Sequence, residues 1–337
     1  MVKKKIAIVG ATGMVGRAFL RVLEDYNMDK YDYSLYASAR SVGTSLTFFG
    51  KEYLVKQLDE GVFDEGFDIA LFSAGGNISE RFAPIAAKKG TVVIDNSSRW
   101  RMDPKVPLVV PEVNPDDINL NEGVIANPNC STIQAVVALS PIYKKYGIKR
   151  IVYSTYQSVS GAGKEGWMDL ENGIYSYVDG KDRSLMKFSY PIFNNCIPHI
   201  DEFLDNGYTK EEIKMVNETR KILHDDSIAI TATTVRVPVF SAHSESINLE
   251  LKQPYKTDDI KNLLSVSPGI KVIDDPNHNL YPLASEATGK DDVYVGRIRR
   301  DESISNGLNI WVVSDNIRKG AASNAVQIAK IILSKNS

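Results

Sequence analysis

The sequence predicts an α/β fold of two domains: an N-terminal Rossmann-type dinucleotide-binding domain, then a second domain of α+β type. Three observations carry this. A strand-like run, Lys5-Ile6-Ala7-Ile8-Val9, leads into a glycine loop, Gly10-Ala11-Thr12-Gly13-Met14-Val15-Gly16, and then into a helical run through Phe19, Leu20 and Leu23. Strands and helices alternate to about residue 127, the order that builds a parallel sheet. From about residue 128 longer strands with intervening loops take over.

Composition sets the outer bounds. A chain of 337 residues, 43% apolar and 24% charged, has the make-up of a globular protein with room for two cores. A net charge of -2 gives no reason to expect nucleic-acid or membrane binding. The apolar run at Ile6 stops at Gly10, too short for the core of a signal peptide, and no apolar run approaches the roughly 20 residues of a membrane span. Cys130 and Cys196 are the only cysteines, which suits a reducing compartment, so the expected location is the cytoplasm.

The glycine loop has G-x-x-G-x-x-G spacing. Glycines there let the backbone approach a pyrophosphate at the helix N-terminus, where N–H groups and the dipole favour an anion; an ordinary tight turn is the alternative. The second strand, Ser34-Leu35-Tyr36-Ala37, ends in Ser38-Ala39-Arg40-Ser41-Val42-Gly43-Thr44. An acidic residue here would hold the ribose 2′-OH of NAD, whereas arginine suits the 2′-phosphate of NADP. No carboxylate lies between Ser34 and Glu52, so the segment favours NADP, with Arg40 as charged fork and Ser38 and Ser41 as neutral donors. Phe67–Phe72 reads as a third strand, and the small residues Ser73-Ala74-Gly75-Gly76 after it allow a ligand close to the strand end. Thr91–Asp95 reads as a fourth. Beyond it Arg99 and Arg101 flank Trp100, either as surface decoration or as an anion clamp.

Val124-Ile125-Ala126 then enters Asn127-Pro128-Asn129-Cys130-Ser131-Thr132-Ile133-Gln134, and helix-spaced Ile133, Val136, Val137 and Leu139 leave it. Pro128 biases Asn127 away from helix, so a helix begins only after the proline and Cys130 falls at or beside its N-terminus. That place favours the thiolate, the reactive form of cysteine. A buried structural cysteine is the bland alternative. Ile151–Tyr156 is the next strand. Residues 171–198, with Asn-Gly, Asp-Gly and two prolines, predict a long irregular excursion. A helix begins at Tyr208–Lys214, with Thr209 and Glu212 at capping-box spacing. Strands at Ala229–Pro238 and Ser246–Leu251, joined by Tyr294–Arg299 and Leu308–Val313, predict an antiparallel sheet. A last helix, Ala321 to Leu333, is expected to return to the first domain.

Taken together these segments resemble the aspartate-β-semialdehyde dehydrogenase family. The likeness rests on GATGMVG at 10–16, ASARSVG at 37–43, VPEVN at 110–114 and NPNCSTIQ at 127–134. It continues through SVSGAGKEG at 158–166, EEIKMVNETRKIL at 211–223, VRVPVFSAHSE at 235–245 and DNIRKGAASNAVQ at 315–327. The serine–arginine cofactor loop is similar to the form common in Gram-positive bacteria. The resemblance implies an NADP-binding domain of residues 1–127 and 318–337. It implies a catalytic and dimerisation domain of residues 128–317, similar to the C-terminal domain of glyceraldehyde-3-phosphate dehydrogenase. The implied reaction is reversible reduction of 4-phospho-L-aspartate by NADPH to L-aspartate 4-semialdehyde and inorganic phosphate through a cysteine thioester, in lysine, threonine and methionine biosynthesis. A homodimer or homotetramer is implied, and no metal.

Carried over residue by residue, the resemblance makes Cys130 the nucleophile and Gln157 the residue that orients the reacting group. His243 becomes the acid/base group, able near neutrality to take the thiol proton and later shuttle one for the substrate oxygen. The implied substrate ligands are Asn129, Arg236 for the carboxylate, Glu211 for the ammonium, and Lys214 with Arg101 for phosphate. Glu211 and Lys214 share a helix face, and the capping box uses Glu212, which leaves Glu211 to the ligand. The implied cofactor residues are Gly10, Thr12, Gly13, Met14, Val15, Gly16, Ser38, Arg40, Ser41, Thr44, Ser73, Ala74, Gly75, Ser160, Gly161, Gly163 and Asn316.

Two departures stand out. Arg99 replaces the small residue usual in the family, and Cys196 and His199 replace a small apolar residue and a glutamine. A spacing of three without further ligands is poor for a metal, and Cys196 reads as a small core residue. The related N-acetyl-glutamyl-phosphate reductases carry glycine before the cysteine rather than Asn129. A non-catalytic NADP-binding regulator would have lost Cys130, Gln157 or His243.

Overall fold

The computed structural model describes residues 3–335. The chain forms two compact units, one running to Asn129 and resuming at Ala321, the other spanning Cys130–Gly320. The first is a Rossmann-type α/β unit and the second an α+β unit.

Unit one contains β1 (Lys5–Val9), α1 (Met14–Asp25), β2 (Asp32–Ala37), β3 (Ser45–Phe48), β4 (Lys51–Leu54), β5 (Lys56–Gln57), β6 (Ile69–Phe72), α2 (Gly76–Lys88), β7 (Val92–Asp95) and β8 (Val124–Ala126). Its sheet is parallel, in the order β5-β2-β1-β6-β7-β8. Ile6–Val9 and Ile69–Phe72 are fully buried, because helices cover both faces of a parallel sheet and its inner strands must be apolar throughout. The strand order reverses at β1, the kind of switch point where open α/β sheets bind ligands. The hairpin of β3 and β4 has no counterpart in the sequence-based expectation. Its turn is Phe49-Gly50 at φ +49° and +66°, a conformation usually signalled by Asn-Gly. Phe49 holds it with its ring 4.3 Å from Phe48 and 5.8 Å from Tyr33. The C-terminal helix, Asn324–Lys335, packs on β6, β7 and α1.

Unit two contains α3 (Cys130–Tyr146), β9 (Ile148–Gln157), α4 (Gly163–Asp179), α5 (Lys210–Leu223), β10 (Ala229–Arg236), β11 (His243–Leu251), α6 (Thr257–Ser265), β12 (Ile270–Val272), α7 (Ala284–Ala287), β13 (Val293–Asp301) and β14 (Gly307–Ser314). The sheet runs β10-β9-β11-β14-β13-β12. It is mixed rather than antiparallel as expected: β10 lies parallel to β9, and β12 parallel to β13. The excursion expected over 171–198 begins only at Gly180, which caps α4 at φ +69°. Gly173 of the Asn-Gly pair lies inside α4 for a packing reason: a Cβ there would come within 2.6 Å of the Phe193 Cβ.

Alternation along β11 puts His243, Glu245, Ile247, Leu249 and Leu251 on one buried face. Register extends this into rows. Arg236 pairs with Gln157, and His243 lies one step beyond the Ser244–Tyr156 pair, so all three share the end row. The next row is Thr234, Thr155 and Glu245. The polar end of an otherwise apolar sheet face is where the chemistry-bearing side chains collect.

Candidate functional site

In unit one the glycine loop forms a cradle. Gly10 has φ +87°, and a Cβ on it would meet the Ser73 carbonyl oxygen at 2.2 Å. A Cβ on Gly16 would meet the Gly10 oxygen at 2.1 Å, so only glycine lets loop and helix approach this closely. Gly13 precedes α1 and supplies no side-chain cap, as does Gly75 ahead of α2, so both helix starts present backbone N–H groups to an anion. Met14 and Val15 are the first residues of α1. Thr12 Oγ1 lies 3.2 Å from Ser41 Oγ, tying the loop to the segment after β2. There Ser38, Arg40 and Thr44 are exposed, and Ser73 and Ala74 are half-buried at the end of β6. These features fit a dinucleotide phosphate backbone.

The two arginines after β7 part company. Arg99 is exposed, reaches Glu80 at 2.9 Å and stacks over Trp100. Arg101 is 8% exposed, its Nε donating to the Asn127 oxygen at 3.0 Å and its Nη2 to the Asn96 oxygen at 3.0 Å. Asn127 in turn accepts from Asn324 at 2.7 Å and donates to Asn96 at 2.7 Å, which fixes the turn that ends in buried Asn129.

Unit two opens with Cys130 as the first residue of α3, as the proline placement predicts. A Cβ on Gly320 would lie 2.8 Å from the Cys130 Cβ, so glycine there keeps the stem of Cys130 uncrowded. His243 is fully buried. Its Nδ1 accepts the Ser158 backbone N–H at 3.0 Å and lies 3.0 Å from Ser158 Oγ, while Nε2 has no hydrogen-bond partner among the described residues. Burial, and then the Arg236 charge, push His243 well below the ordinary imidazole range, so the ring is neutral. Arg236 is 5% exposed and donates to the Ser158 oxygen at 2.6 Å. Burial lowers its guanidinium too, opposed by Glu211 and Cys130, and an arginine so placed stays charged. A Cβ on Gly161 would meet Arg236 Nη1 at 2.9 Å and the His243 ring at 3.2 Å, so this glycine clears the ground before both.

Gln157 is held at both ends, accepting from Thr155 at 3.2 Å and donating to Glu211 at 3.1 Å. Glu211 accepts from Lys214 at 3.2 Å, and Lys214 also reaches Asp201 at 2.6 Å. Glu212 completes the capping box with Thr209 and accepts from the Thr234 N–H at 3.0 Å, whereas Glu211 faces Gln157 and Lys214. Ser160 and Asn316 are buried behind His243: Asn316 Oδ1 accepts from Ala242 N–H at 3.0 Å and from Ser158 Oγ at 3.1 Å. Gly163 opens α4.

Cys196 is exposed, which corrects its reading as a core residue. Ile197 bridges Arg236 along the outer edge of β10, and alternation turns Cys196 and Pro198 outward. They line an open cavity of about 510 Å³ with His199 and Arg236. Among the described residues no cluster of acidic, histidine and cysteine side chains could hold a metal, and no helix is long and apolar enough to cross a membrane.

Sequence reasoning missed Ser158, whose backbone N–H orients His243, and Gln134, whose Nε2 donates to the His243 oxygen at 3.4 Å. Both lie inside quoted motifs, but their partners lie about a hundred residues away in sequence.

Family models for the semialdehyde dehydrogenase NAD binding domain and dimerisation domain match residues 5–121 and 139–319. An aspartate-semialdehyde dehydrogenase of Aquifex aeolicus is 56% identical over 98% of both chains, and one of Bacillus subtilis is 49% identical over 98% of both. Among solved structures, aspartate semialdehyde dehydrogenase II of Vibrio cholerae complexed with ASA superposes with a TM-score of 0.96, at 47% identity over 99% of each chain. The Candida albicans enzyme with NADP gives 0.79 at 25% identity, again over 99% of each.

Proposed function

The chain belongs to the aspartate-semialdehyde dehydrogenase family, and from that premise we propose that it catalyses the reversible, NADP-dependent interconversion of 4-phospho-L-aspartate with L-aspartate 4-semialdehyde and phosphate. The pathways served are those to lysine, threonine and methionine, in the cytoplasm, with a homodimer or homotetramer as the working assembly. The observation that carries the reading is the assembly in unit two of a helix-starting cysteine with a buried neutral histidine and a buried arginine.

Cys130 attacks the acyl carbon and phosphate leaves, forming a thioester. The helix N-terminus favours the thiolate, and thiolate is also a good leaving group when aldehyde departs. His243 presents Nε2–H to the substrate oxygen as charge develops on it. Arg236 clamps the substrate carboxylate and Glu211 takes the ammonium, with Gln157 fixed between Thr155 and Glu211 to orient the reacting carbonyl. Lys214 and Arg101 are the phosphate ligands, and Asn129 is a further substrate ligand. Bound NADPH would supply the hydride that reduces the thioester, and NADP would accept it in the reverse direction. The glycine loop, Ser38, Arg40, Ser41, Thr44 and the Ser73–Gly75 segment would hold the cofactor, together with Ser160, Gly161, Gly163 and Asn316. The exposed Arg40, with no carboxylate between Ser34 and Glu52, supports NADP over NAD.

The test is an absorbance assay in the phosphorolytic direction. NADP reduction that requires both aspartate semialdehyde and inorganic phosphate supports the proposal. Equal rates with N-acetyl-glutamate semialdehyde, or no dependence on phosphate, would overturn it.

A further inference from the structure

Glu245 occupies an inward position of β11 that pattern alone would fill with an aliphatic residue. It is 0% exposed, and neither carboxyl oxygen has a hydrogen-bond partner among the described residues. A buried carboxylate left this way is costly, so the position calls for an explanation. Gln134 supplies one. It is also fully buried, and its Oε1 likewise lacks a partner among the described residues.

The geometry of the two elements gives the pair its meaning. Gln134 follows Cys130 by one helical turn on α3 and shares its face. Glu245 follows His243 by two residues on β11 and shares its face. Helix α3 packs on β11. Cys130 and His243 therefore begin two elements whose next inward residues are Gln134 and Glu245.

We propose that Gln134 and Glu245 are a positioning pair that joins α3 to β11 one tier beneath Cys130 and His243, and so sets the spacing between nucleophile and imidazole. The orientation of the Gln134 amide follows from its other contact. The His243 carbonyl can only accept, so Nε2 faces it and Oε1 is left for Glu245. An ionised Glu245 would oppose acceptor to acceptor. As a carboxylic acid it donates its O–H to Gln134 Oε1 and satisfies both orphans at once. Burial holds the carboxyl well above its ordinary value of 4.5, the direction that a proton donor to Gln134 requires. Its row neighbours, Thr155 and Val312, are uncharged; Tyr153, which lies within reach of its charge, spends its hydroxyl on Thr219, and His243, two residues along the same face, is neutral.

The inference rests on the proposed thioester chemistry, and its test separates the two. In the intact enzyme at neutral pH, infrared spectroscopy should show a protonated-carboxyl band that Glu245→Gln removes. Glu245→Gln, whose amide can still donate to Gln134, should keep most of kcat. Glu245→Leu should lower kcat by about 10- to 100-fold, the range for a misplaced reacting group, with little change in KM for phosphate or aspartate semialdehyde. The Gln134→Leu/Glu245→Leu double variant should be no worse than the poorer single one. Wild-type kcat in Glu245→Leu, additive losses, or no band removed by Glu245→Gln would overturn the pair. If Glu245→Leu does not fold, the infrared and glutamine arms still decide. Absence of phosphate-dependent turnover in the wild type would instead overturn the proposed function, while the infrared band would still report on the pair.

Discussion

The backbone N–H of Ser158 points at Nδ1 of His243 from 3.0 Å. A backbone N–H can only donate, so Nδ1 must be the acceptor and the neutral ring carries its proton on Nε2. His243 in this state is a hydrogen-bond donor toward the substrate side and has no lone pair there to take a thiol proton. In the proposed reaction the resting ring would therefore serve as a donor to the substrate oxygen rather than as a base for Cys130.

A pH dependence of stability follows. His243 sits below the ordinary value of 6.5 in the folded protein, so the unfolded chain binds more protons as pH falls through that value. Stability should decline below about pH 6.5 and be flat above it on this account. Urea midpoints measured against pH should show part of that acid decline missing in His243→Asn. Contributions of opposite sign, such as that of Glu245, are common to both proteins and cancel. An identical decline in the two would refute the assignment.

Cys130→Ser should reduce turnover by several orders of magnitude while folding and NADP binding persist, because a serine alkoxide is inaccessible near neutral pH. Single-turnover kinetics with NADP titration would check both halves. A fully active serine variant is the contrary result.

Arg40→Leu should weaken NADP by roughly 1.5–3 kcal/mol, the range for hydrogen bonds to charged groups, and leave NAD almost unchanged. Fluorescence titration with each cofactor would measure this. Equal weakening of both would make Arg40 structural.

Lys214 is already engaged with Asp201 and Glu211, whereas Arg236 lies buried beside Ser158. Lys214→Leu should chiefly raise KM for phosphate and be partly rescued by more of it. Arg236→Leu should depress activity on the order of 100-fold by misaligning the carbonyl, and phosphate should not help. Arg236→Lys should also fail, since a point charge cannot replace a planar fork. Phosphate rescue of the arginine variant would show the roles exchanged.

Gly161→Ala tests the clearance before the site. The added methyl group would fall 2.9 Å from Arg236 Nη1 and 3.2 Å from the His243 ring. Activity should drop on the order of 100-fold with the melting temperature nearly unchanged, because the loop rather than the core absorbs the change. Wild-type activity would mean that the histidine and arginine yield without consequence.

What the sequence made legible was local. Gly10 through Gly16, Pro128 before Cys130, and Thr209 with Glu212 each announce themselves within a few residues, because turns, helix starts and caps are short-range events. The mixed sheet was not legible, since the parallel pairing of β9 with β10 is decided across a long connection. Gly173 misled because an Asn-Gly pair signals a turn unless a distant side chain, here that of Phe193, needs the space. Glu245 could not be paired with Gln134 from sequence, since that needs both the register of β11 and the rotation of α3.

The C-terminal helix that packs on β6 and β7 carries a consequence for biosynthesis. Unit one is assembled from the first and last stretches of the chain, with all of Cys130–Gly320 translated between them. On the ribosome its parallel sheet must wait, with the surface that the helix will cover open to solvent, while the inserted unit emerges and folds. Such delayed closure exposes apolar strands to misassembly. Early truncation should therefore damage the nucleotide-binding half, although almost all of that half has already been made.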